Sequence, residues 1–238
     1  AGAHDEGGLG VDASKGIVGE AAAAAAETED ENLTSDELLM FLCILVVAGN
    51  ETTRNAITGG LQAFSDFPDQ KAKLIEHPEL IDLAIDEIVR FVSPVISFTR
   101  TVTEDHVLHG KELKEGDKVL ILYQSANRDE TVFDAPDEFR IDRSPNPHLG
   151  FGIGPHFCLG ANLAKLEIQI VFEELFRRLG DIRVKDGAAL DRDDNALVLE
   201  IQHLHAVFTP VAAADCPVDH DASSGGCPAR ASASAETT

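Results

Sequence analysis

Apolar positions at helical spacing predict that a long helix opens the folded part of the chain. Thr34 and Glu37 stand three residues apart, which is the spacing of a capping box, and an apolar run follows at residues 38–48. The pattern continues to about Phe64, so the helix is about 45 Å long at a rise of about 1.5 Å per residue. A helix of this length crosses a whole domain.

Three further helices are predicted downstream. Pro68 opens one of them, and Pro78 opens another that extends to Pro94. An amphipathic pattern returns at residues 161–180, directly after a glycine-rich segment. That segment, residues 151–160, is called the cysteine loop below.

Short stretches of alternating apolar and polar residues predict a small β-sheet. Residues 95–102 and 118–125 have this pattern, and the turn residues between them include Gly110 and the Glu-Gly-Asp run at 115–117. Weaker strand-like segments follow at residues 196–202 and 205–211. The expected fold class is therefore mainly α with a small β-sheet.

Both ends of the chain have a composition that is typical of disorder. Residues 1–32 are rich in Gly, Ala, Asp and Glu and predict a disordered or atypical lead-in. Residues 211–238 are rich in Ala, Ser, Asp and Gly and predict a disordered tail. The folded domain is expected between them, at residues 33–210.

Composition and charge narrow the class of protein. With 238 residues, of which 44% are hydrophobic, the chain has enough apolar surface for a substantial core. Its net charge of -23 argues against binding to nucleic acid. The longest apolar run, residues 38–48, is too short to span a bilayer. Four cysteines without regular spacing, and no charged-then-apolar leader, indicate a cytoplasmic protein.

The cysteine loop contains one thiol in a glycine-rich setting. Cys158 lies just before a helix, where the positive end of the helix dipole and unpaired backbone N–H groups favour thiolate over thiol. Gly152, Gly154 and Gly160 allow tight turns and let the backbone approach a flat ligand closely. A thiolate in this setting is a good iron ligand.

Two further residues of the cysteine loop suit a flat ligand with acidic groups. Phe151 can shield the sulfur side of such a ligand, and His156 can offer a ring N–H to an acidic group on its edge. The order Phe, two residues, Gly, three residues, Cys, one residue, Gly resembles the haem-ligand loop of the cytochrome P-450 monooxygenases. The alternative is a glycine-rich turn around a buried structural cysteine. The resemblance implies haem b as cofactor, with Cys158 as the iron ligand.

The long helix contains an unusual polar segment. Small residues at Ala48 and Gly49 leave room on one helix face, while Glu51 and Thr52 put an acid and an alcohol in an otherwise apolar run. The segment resembles the oxygen-binding groove in the central helix of the same family, where the acid and the alcohol relay protons. The alternative is a solvated polar face that begins at Asn50.

Glu87 and Arg90 lie three residues apart on one helix face, and such a pair is usually a weak surface ion pair. The segment FRIDR, which ends at Arg143, lies between this pair and the cysteine loop. The order of these residues along the chain and the residue types resemble the family's Glu-Arg-Arg arrangement. The implied role of the three residues is structural: they hold the segment before the cysteine loop in place.

An arginine in an apolar β stretch would be costly to bury without an anion. The resemblance implies that Arg100 binds a haem propionate, with His156 as a second partner. The alternative for Arg100 is an edge-strand arginine that faces water. The resemblance to the family also implies that Val95, Ile96 and Phe98 line an apolar substrate pocket.

The resemblance covers residues 33–210, and it implies the C-terminal portion only of the cytochrome P-450 fold. The implied reaction is insertion of one atom of dioxygen into a C–H bond of an apolar substrate. The amino-acid sequences of the long-helix segment and of the cysteine loop resemble those of actinobacterial hydroxylases that act on sterol side chains or on fatty or isoprenoid chains. Electrons are expected from a ferredoxin and its reductase, with NAD(P)H as the ultimate donor. Lys165, Arg177 and Arg178 offer positive charge for ferredoxin docking.

Two other functions remain open from the sequence. The chain can be a truncated, catalytically silent fragment of such an enzyme, because the N-terminal half of the family is not recognisable in it. It can also be an acidic interaction or metal-binding module built on the tail, which contains Cys216, His220 and Cys227. Three candidate ligands without paired spacing make a poor tetrahedral zinc site, which disfavours the metal-binding alternative.

Overall fold

The computed structural model describes residues 33–187, 191–193 and 197–209. The chain divides into two compact units, residues 1–50 and residues 51–238, and each is described by itself. The predictions made for the lead-in and for the tail, including its cysteines, lie outside the described residues.

Helix α1, Ser35–Asp66, confirms the predicted long helix and ends two residues beyond the expected Phe64. Its first turn has the predicted capping box. The amide of Glu37 donates to Thr34 Oγ1 at 3.3 Å, and the amide of Thr34 donates to Glu37 Oε2 at 2.9 Å. These bonds satisfy backbone donors that a helix start leaves without partners.

The other helices follow the predicted proline and glycine signals with one difference. At Pro78 the chain first forms a short 3-10 turn, and the α-helix begins only at Ile81. The helix then ends before Ser93, whose φ of 46° lies in the left-handed region. The remaining helical elements are α2 (Pro68–Glu76), the 3-10 turn Pro78–Leu80, α3 (Ile81–Val92), α4 (Tyr123–Ala126), a 3-10 turn (Gly154–His156) and α5 (Ala161–Arg178).

The expected small sheet is realised, among the described residues, as four separate antiparallel pairs of strands. The strands are β1 (Ser97–Thr101), β2 (His106–Leu108), β3 (Lys111–Leu113), β4 (Lys118–Leu122), β5 (Arg183–Val184), β6 (Asp191–Asp193), β7 (Glu200–His203) and β8 (Ala206–Val207). The pairs are β1 with β4, β2 with β3, β5 with β8, and β6 with β7. The second predicted strand is shorter than expected, because the chain turns into α4 at Tyr123.

Aromatic rings form the centre of the core in the second unit. The Phe64 ring lies 5.1 Å from those of Phe139 and Phe176 and 5.3 Å from that of Phe172, in edge-to-face contacts. These contacts join the C-terminal part of α1 to α5 and to the segment around Phe139. Gly60 fits this close packing, because a Cβ there would lie 2.9 Å from the Phe172 ring.

The described part of the first unit has an apolar surface. Its exposed large apolar side chains are Leu39, Met40, Ile44, Val46 and Val47. Even so, no helix in the described ranges has the length and apolar character that a membrane span requires. The cytoplasmic location expected from the sequence stays a prediction.

Candidate functional site

Backbone hydrogen bonds fold the cysteine loop back on itself. The amide of Cys158 donates to the carbonyl of Phe151 at 2.8 Å, and the amide of Phe157 donates to that of Gly154 at 3.0 Å. Helix α5 begins three residues after Cys158. The thiol is exposed and forms no disulfide. The alternative of a buried structural cysteine therefore does not describe this loop.

Two glycines of the loop adopt a backbone conformation that other residues rarely take. Gly152 has a φ of +73° and Gly154 a φ of +68°, both in the left-handed region. A Cβ at Gly160 would have no atom within 4 Å, so the backbone beside Cys158 borders open space. The loop therefore has the tight turns and the open approach expected from the sequence.

The side chains around the thiol are unusually apolar for an exposed surface. Ile153 and Leu159 are each 75% exposed, and Phe157 is 57% exposed. Phe151 is half-buried, and its ring lies 6.4 Å from that of Phe157. Exposed apolar residues concentrated around a reactive group indicate a surface that another group covers.

The two residues expected to bind acidic groups are both exposed. Arg100 lies on β1, opposite Val119 of β4, and its guanidinium donates to the carbonyl of Thr99 at 3.2 Å. Within the described ranges it forms no ion pair. His156 lies in the 3-10 turn Gly154–His156. The exposure of Arg100 is compatible both with anion binding and with an edge-strand arginine that faces water.

Glu51 and Thr52 lie on α1 and are each partly buried. The Glu51 carboxylate accepts a hydrogen bond from Arg54 Nη2 at 2.5 Å. Asn55, one turn further on, is fully buried and donates to the backbone carbonyl of Glu51 at 2.7 Å. Its Oδ1 accepts from the amide of Ile201 at 3.0 Å. Asn55 thus fixes this part of α1, a role that the sequence did not suggest.

Ala48 and Gly49 belong to the first unit and are both exposed. A Cβ on Gly49 would meet no atom within 4 Å. This exposure is compatible both with the room predicted on this helix face and with the alternative of a solvated face, so the predicted role of the two residues stays a prediction.

Glu87, Arg90 and Arg143 form a buried network, which excludes the weak surface pair considered from spacing alone. Glu87 and Arg90 are fully buried, and the Arg143 side chain is 5% exposed. Arg90 donates to both Glu87 oxygens at 2.8 Å, and Arg143 Nε donates to Glu87 Oε2 at 3.0 Å. The amide of Arg140 adds a bond of 2.8 Å and Asn146 Nδ2 one of 3.2 Å. Five donors therefore converge on one carboxylate.

Both arginines also bind the backbone of the segment that precedes the cysteine loop. Arg90 donates to the carbonyls of Asn127, Pro136 and Glu138 at 2.8 to 3.0 Å. Arg143 donates to carbonyls in the same segment, residues 134–138. The network therefore links α3 to a stretch without regular secondary structure.

Asn127 is a second buried connector that sequence reasoning missed. Its Nδ2 donates to Ser93 Oγ at 2.8 Å, and its Oδ1 accepts from the amide of Leu149 at 2.7 Å. The residue thus ties the end of α3 to the chain two residues before Phe151. The available signal was an asparagine two residues after the predicted strand at residues 118–125, which is too common to assign a role.

The residues proposed to line a substrate pocket lie at the start of β1. Val95 and Ile96 are partly buried, and Phe98 is 42% exposed. The Phe98 ring contacts that of Tyr123 edge to face at 6.0 Å. The amide of Ile96 donates to the carbonyl of Leu197 at 2.8 Å.

The cations expected to attract an acidic partner are each bound to a carboxylate. Lys165 Nζ lies 2.6 Å from Asp86. Arg177 and Arg178 contact Glu174 at 2.6 and 2.7 Å, and their hydrogen bonds lower the pKa of Glu174 to about 2. The local positive charge is therefore smaller than the sequence indicated.

The fold and the loop define a haem-thiolate protein, and the chain belongs to the cytochrome P450 family. Residues 17–202 match the family model described as "Cytochrome P450". The chain is 41% identical over 186 residues to a steroid C26-monooxygenase of Mycolicibacterium smegmatis, which covers 78% of this chain. It is 51% identical over 159 residues to a methyl-branched lipid omega-hydroxylase of Mycobacterium bovis, which covers 66% of this chain.

Solved structures of the family have the same fold. Bacillus megaterium CYP109E1 in complex with testosterone matches with a TM-score of 0.73 and 36% identity, over 78% of this chain and 51% of that chain. The matches to the two curated relatives span 46% and 37% of those proteins. The chain thus spans about half the length, or less, of the relatives that it matches.

The described residues fit haem b, the cofactor of this family. In this family a cysteine thiolate holds the haem iron, and Cys158 is an exposed, free thiol in an apolar surround. Arg100 and His156 are exposed and can donate to carboxylates. No cluster of three or more His, Cys, Asp or Glu suitable for a bare metal ion occurs in the described ranges. A haem site does not require such a cluster.

Proposed function

We propose that this chain supplies the thiolate-ligand portion of a cytochrome P450 monooxygenase that hydroxylates a steroid or a branched lipid. One observation carries the proposal: a free, exposed cysteine lies in a glycine-rich apolar loop three residues before an 18-residue helix, in a chain of this family. When bound, haem b would supply activation of dioxygen and transfer of one of its atoms into a C–H bond, while the other atom leaves as water with two protons and two electrons from the donor. The protein's residues position the reactants and control protons.

Cys158 is the proposed iron ligand. The open backbone at Gly160 lets a flat group approach the sulfur, and Phe157 and Leu159 offer exposed apolar surface that such a group would cover. Arg100 and His156 are proposed to bind the carboxylates of the macrocycle. The network around Glu87 is proposed to hold the segment before the loop in place.

Glu51 and Thr52 are the proposed proton carriers. The Thr52 hydroxyl can pass a proton toward dioxygen, and the Glu51 carboxylate can take up a proton from solvent and pass it on to Thr52. Because Arg54 contacts Glu51 at 2.5 Å, the carboxylate must leave the guanidinium before it can deliver a proton. Both side chains are exposed enough to rotate, at 46% for Arg54 and 38% for Glu51. The alternative of a solvated polar face is compatible with the same exposure.

An apolar substrate is proposed on two grounds. One relative is named a steroid C26-monooxygenase and another a methyl-branched lipid omega-hydroxylase. Val95, Ile96 and Phe98 offer apolar surface at the start of β1, and Phe98 is exposed. Ring systems and branched chains bury such surface well, at about 25 cal/mol for each Å².

A ferredoxin, reduced by a reductase that uses NAD(P)H, is the proposed electron donor. Lys165, Arg177 and Arg178 remain partly exposed, at 39 to 43%, although each contacts a carboxylate. An acidic partner could compete with Glu174 for the two arginines. Association should then weaken as salt is added, since screening acts over about 10 Å at 0.1 M.

Incorporation of labelled oxygen tests the proposed activity. The full 238-residue chain is supplied with haem, ferredoxin, reductase and NADPH under ¹⁸O₂, with a steroid or a methyl-branched fatty acid. One ¹⁸O atom in a hydroxylated product supports the proposal, and Thr52→Ala should lower the product formed per NADPH consumed. A product labelled only from ¹⁸O-water would contradict it.

A catalytically silent protein is the second candidate, because the chain spans about half the length of its relatives. The two candidates differ in cofactor retention. After gel filtration of chain mixed with excess haem, a monooxygenase portion keeps about one haem per chain. A silent fragment elutes without it.

A further inference from the structure

Asp86 contacts two side chains, one from the residues before the cysteine loop and one from the residues after it. Its Oδ1 lies 2.6 Å from Lys165 Nζ and 3.4 Å from His148 Nε2. His148 precedes the loop by three residues, and Lys165 follows it by five, in the second turn of α5. One carboxylate on α3 therefore connects the entry and the exit of the segment that carries Cys158.

The ring of Phe151 lies within the same group of residues. Its centroid is 5.9 Å from that of His148 and 5.7 Å from Lys165 Nζ. An ammonium at this distance from an aromatic ring is attracted to it. The carbonyl of Phe151 accepts the amide of Cys158 at 2.8 Å. Phe151 thus contacts both partners of Asp86 and also accepts a hydrogen bond from the backbone of Cys158.

The hydrogen-bond pattern assigns one tautomer to His148. The amide of Gly150 donates to His148 Nδ1 at 3.1 Å, so Nδ1 is the acceptor. The ring proton then lies on Nε2 and points to Asp86. The His148 side chain is only 8% exposed, so this arrangement orients it firmly. Asp86 therefore fixes both the ring and the backbone at Gly150.

The charge state of Asp86 agrees with this geometry. Burial raises the pKa of its carboxyl, but hydrogen bonds from His148 and Lys165 outweigh the burial, so the pKa lies below its ordinary value. The group is therefore ionised at neutral pH. Asp86 differs in its contacts from its neighbour Glu87, whose partners are Arg90, Arg140, Arg143 and Asn146.

We propose that Asp86 is a positioning residue that fixes the cysteine loop by binding His148 and Lys165 together. The inference rests on the proposed function, because it concerns the loop that presents Cys158. It adds a residue outside the motifs that identify the family. Without Asp86, the entry and the exit of the loop lose their common anchor, and closing the loop costs more conformational entropy.

Amide hydrogen exchange of the full chain without haem tests the proposal directly. Asp86→Asn keeps the size of the side chain and removes its charge. Asp82→Asn is the matched control, since Asp82 lies one turn earlier on α3, is exposed and forms no ion pair within the described ranges. The exchange rates of the Gly150 and Cys158 amides are compared by mass spectrometry with residue resolution.

Asp86→Asn should raise exchange at Gly150 and Cys158 about three- to tenfold, which corresponds to the loss of two partly exposed contacts. Exchange at Val89 in α3 should not change, and Asp82→Asn should leave all three sites as they are. Asp86→Glu, which keeps the charge, should restore rates to within about twofold. An unchanged loop would overturn the proposal, and so would an equal rise at Val89.

A spectroscopic comparison distinguishes a failure of the role proposed for Asp86 from a failure of the proposed function. In chain supplied with haem, Asp86→Asn should lower the fraction that gives a thiolate-type spectrum with carbon monoxide, while Asp82→Asn should not. If the unsubstituted chain gives no such spectrum, the proposed function fails for this chain and the catalytically silent alternative is supported. The exchange experiment, which needs no haem, still decides the role of Asp86.

Discussion

Replacing Glu87 by glutamine tests the buried network most severely. The carboxylate is fully buried and accepts five hydrogen bonds, three of them from the guanidinium groups of Arg90 and Arg143. Glutamine has nearly the same shape but is neutral, and its amide nitrogen donates where the carboxylate accepted. Two buried cations would then share one neutral partner.

The expected cost follows from this loss of charge. Removing one partner of a buried ion pair costs about 3–5 kcal/mol, because the remaining charge stays buried without compensation. Backbone carbonyls still accept from both arginines, so we expect the lower end, about 3 kcal/mol. This is a large part of a typical stability of about 5–15 kcal/mol. The midpoint of thermal unfolding should fall by about 6–12 °C.

Urea unfolding of the full chain, followed by circular dichroism, measures the effect. Glu76→Gln is the control, because Glu76 is exposed on α2 and the same chemical change there should cost less than about 0.5 kcal/mol. If Glu87→Gln lowered the free energy of unfolding by no more than Glu76→Gln did, the network would not stabilise the fold as argued.

Three further predictions follow from single contacts. Asn127→Leu removes two buried hydrogen bonds and should cost about 2–4 kcal/mol in urea unfolding; a loss under 1 kcal/mol would contradict its role. Gly150→Ala should cost about 1–3 kcal/mol, since its Cβ would lie very close to Val89 Cγ1, and an unchanged thermal midpoint would refute this. The lowered pKa of Asp86 adds stability above its unfolded pKa that is lost as pH falls through the folded pKa; Asp86→Asn should remove this acid-dependent part, and Asp82→Asn should not.

Elements defined by local patterns could be predicted from the sequence. The capping box of Thr34 and Glu37 determines where α1 begins, because the bonds span only three residues. The spacing of Glu87 and Arg90 placed them on one face of α3. Spacing did not reveal their burial, because a surface pair has the same sequence signature. The order of motifs supplied the connection to Arg143.

Contacts between distant residues could not be predicted. Asn127 connects positions that are 34 residues earlier and 22 later, and Asp86 contacts residues 62 and 79 positions away. Such contacts depend on how helices and loops pack, which no periodic pattern records. The division of the strands into separate pairs could not be predicted either, because the pairing of a strand depends on the residues of its partner strand.

The most direct test of the account is the spectrum of the full chain, supplied with haem, reduced and exposed to carbon monoxide. Wild type, Cys158→Ala and Cys43→Ala are compared, because Cys43 is the other exposed free cysteine among the described residues. The account predicts a red-shifted Soret band typical of thiolate ligation in wild type and Cys43→Ala, and its loss in Cys158→Ala. A thiolate band that survives Cys158→Ala would contradict the assignment of Cys158 as the iron ligand.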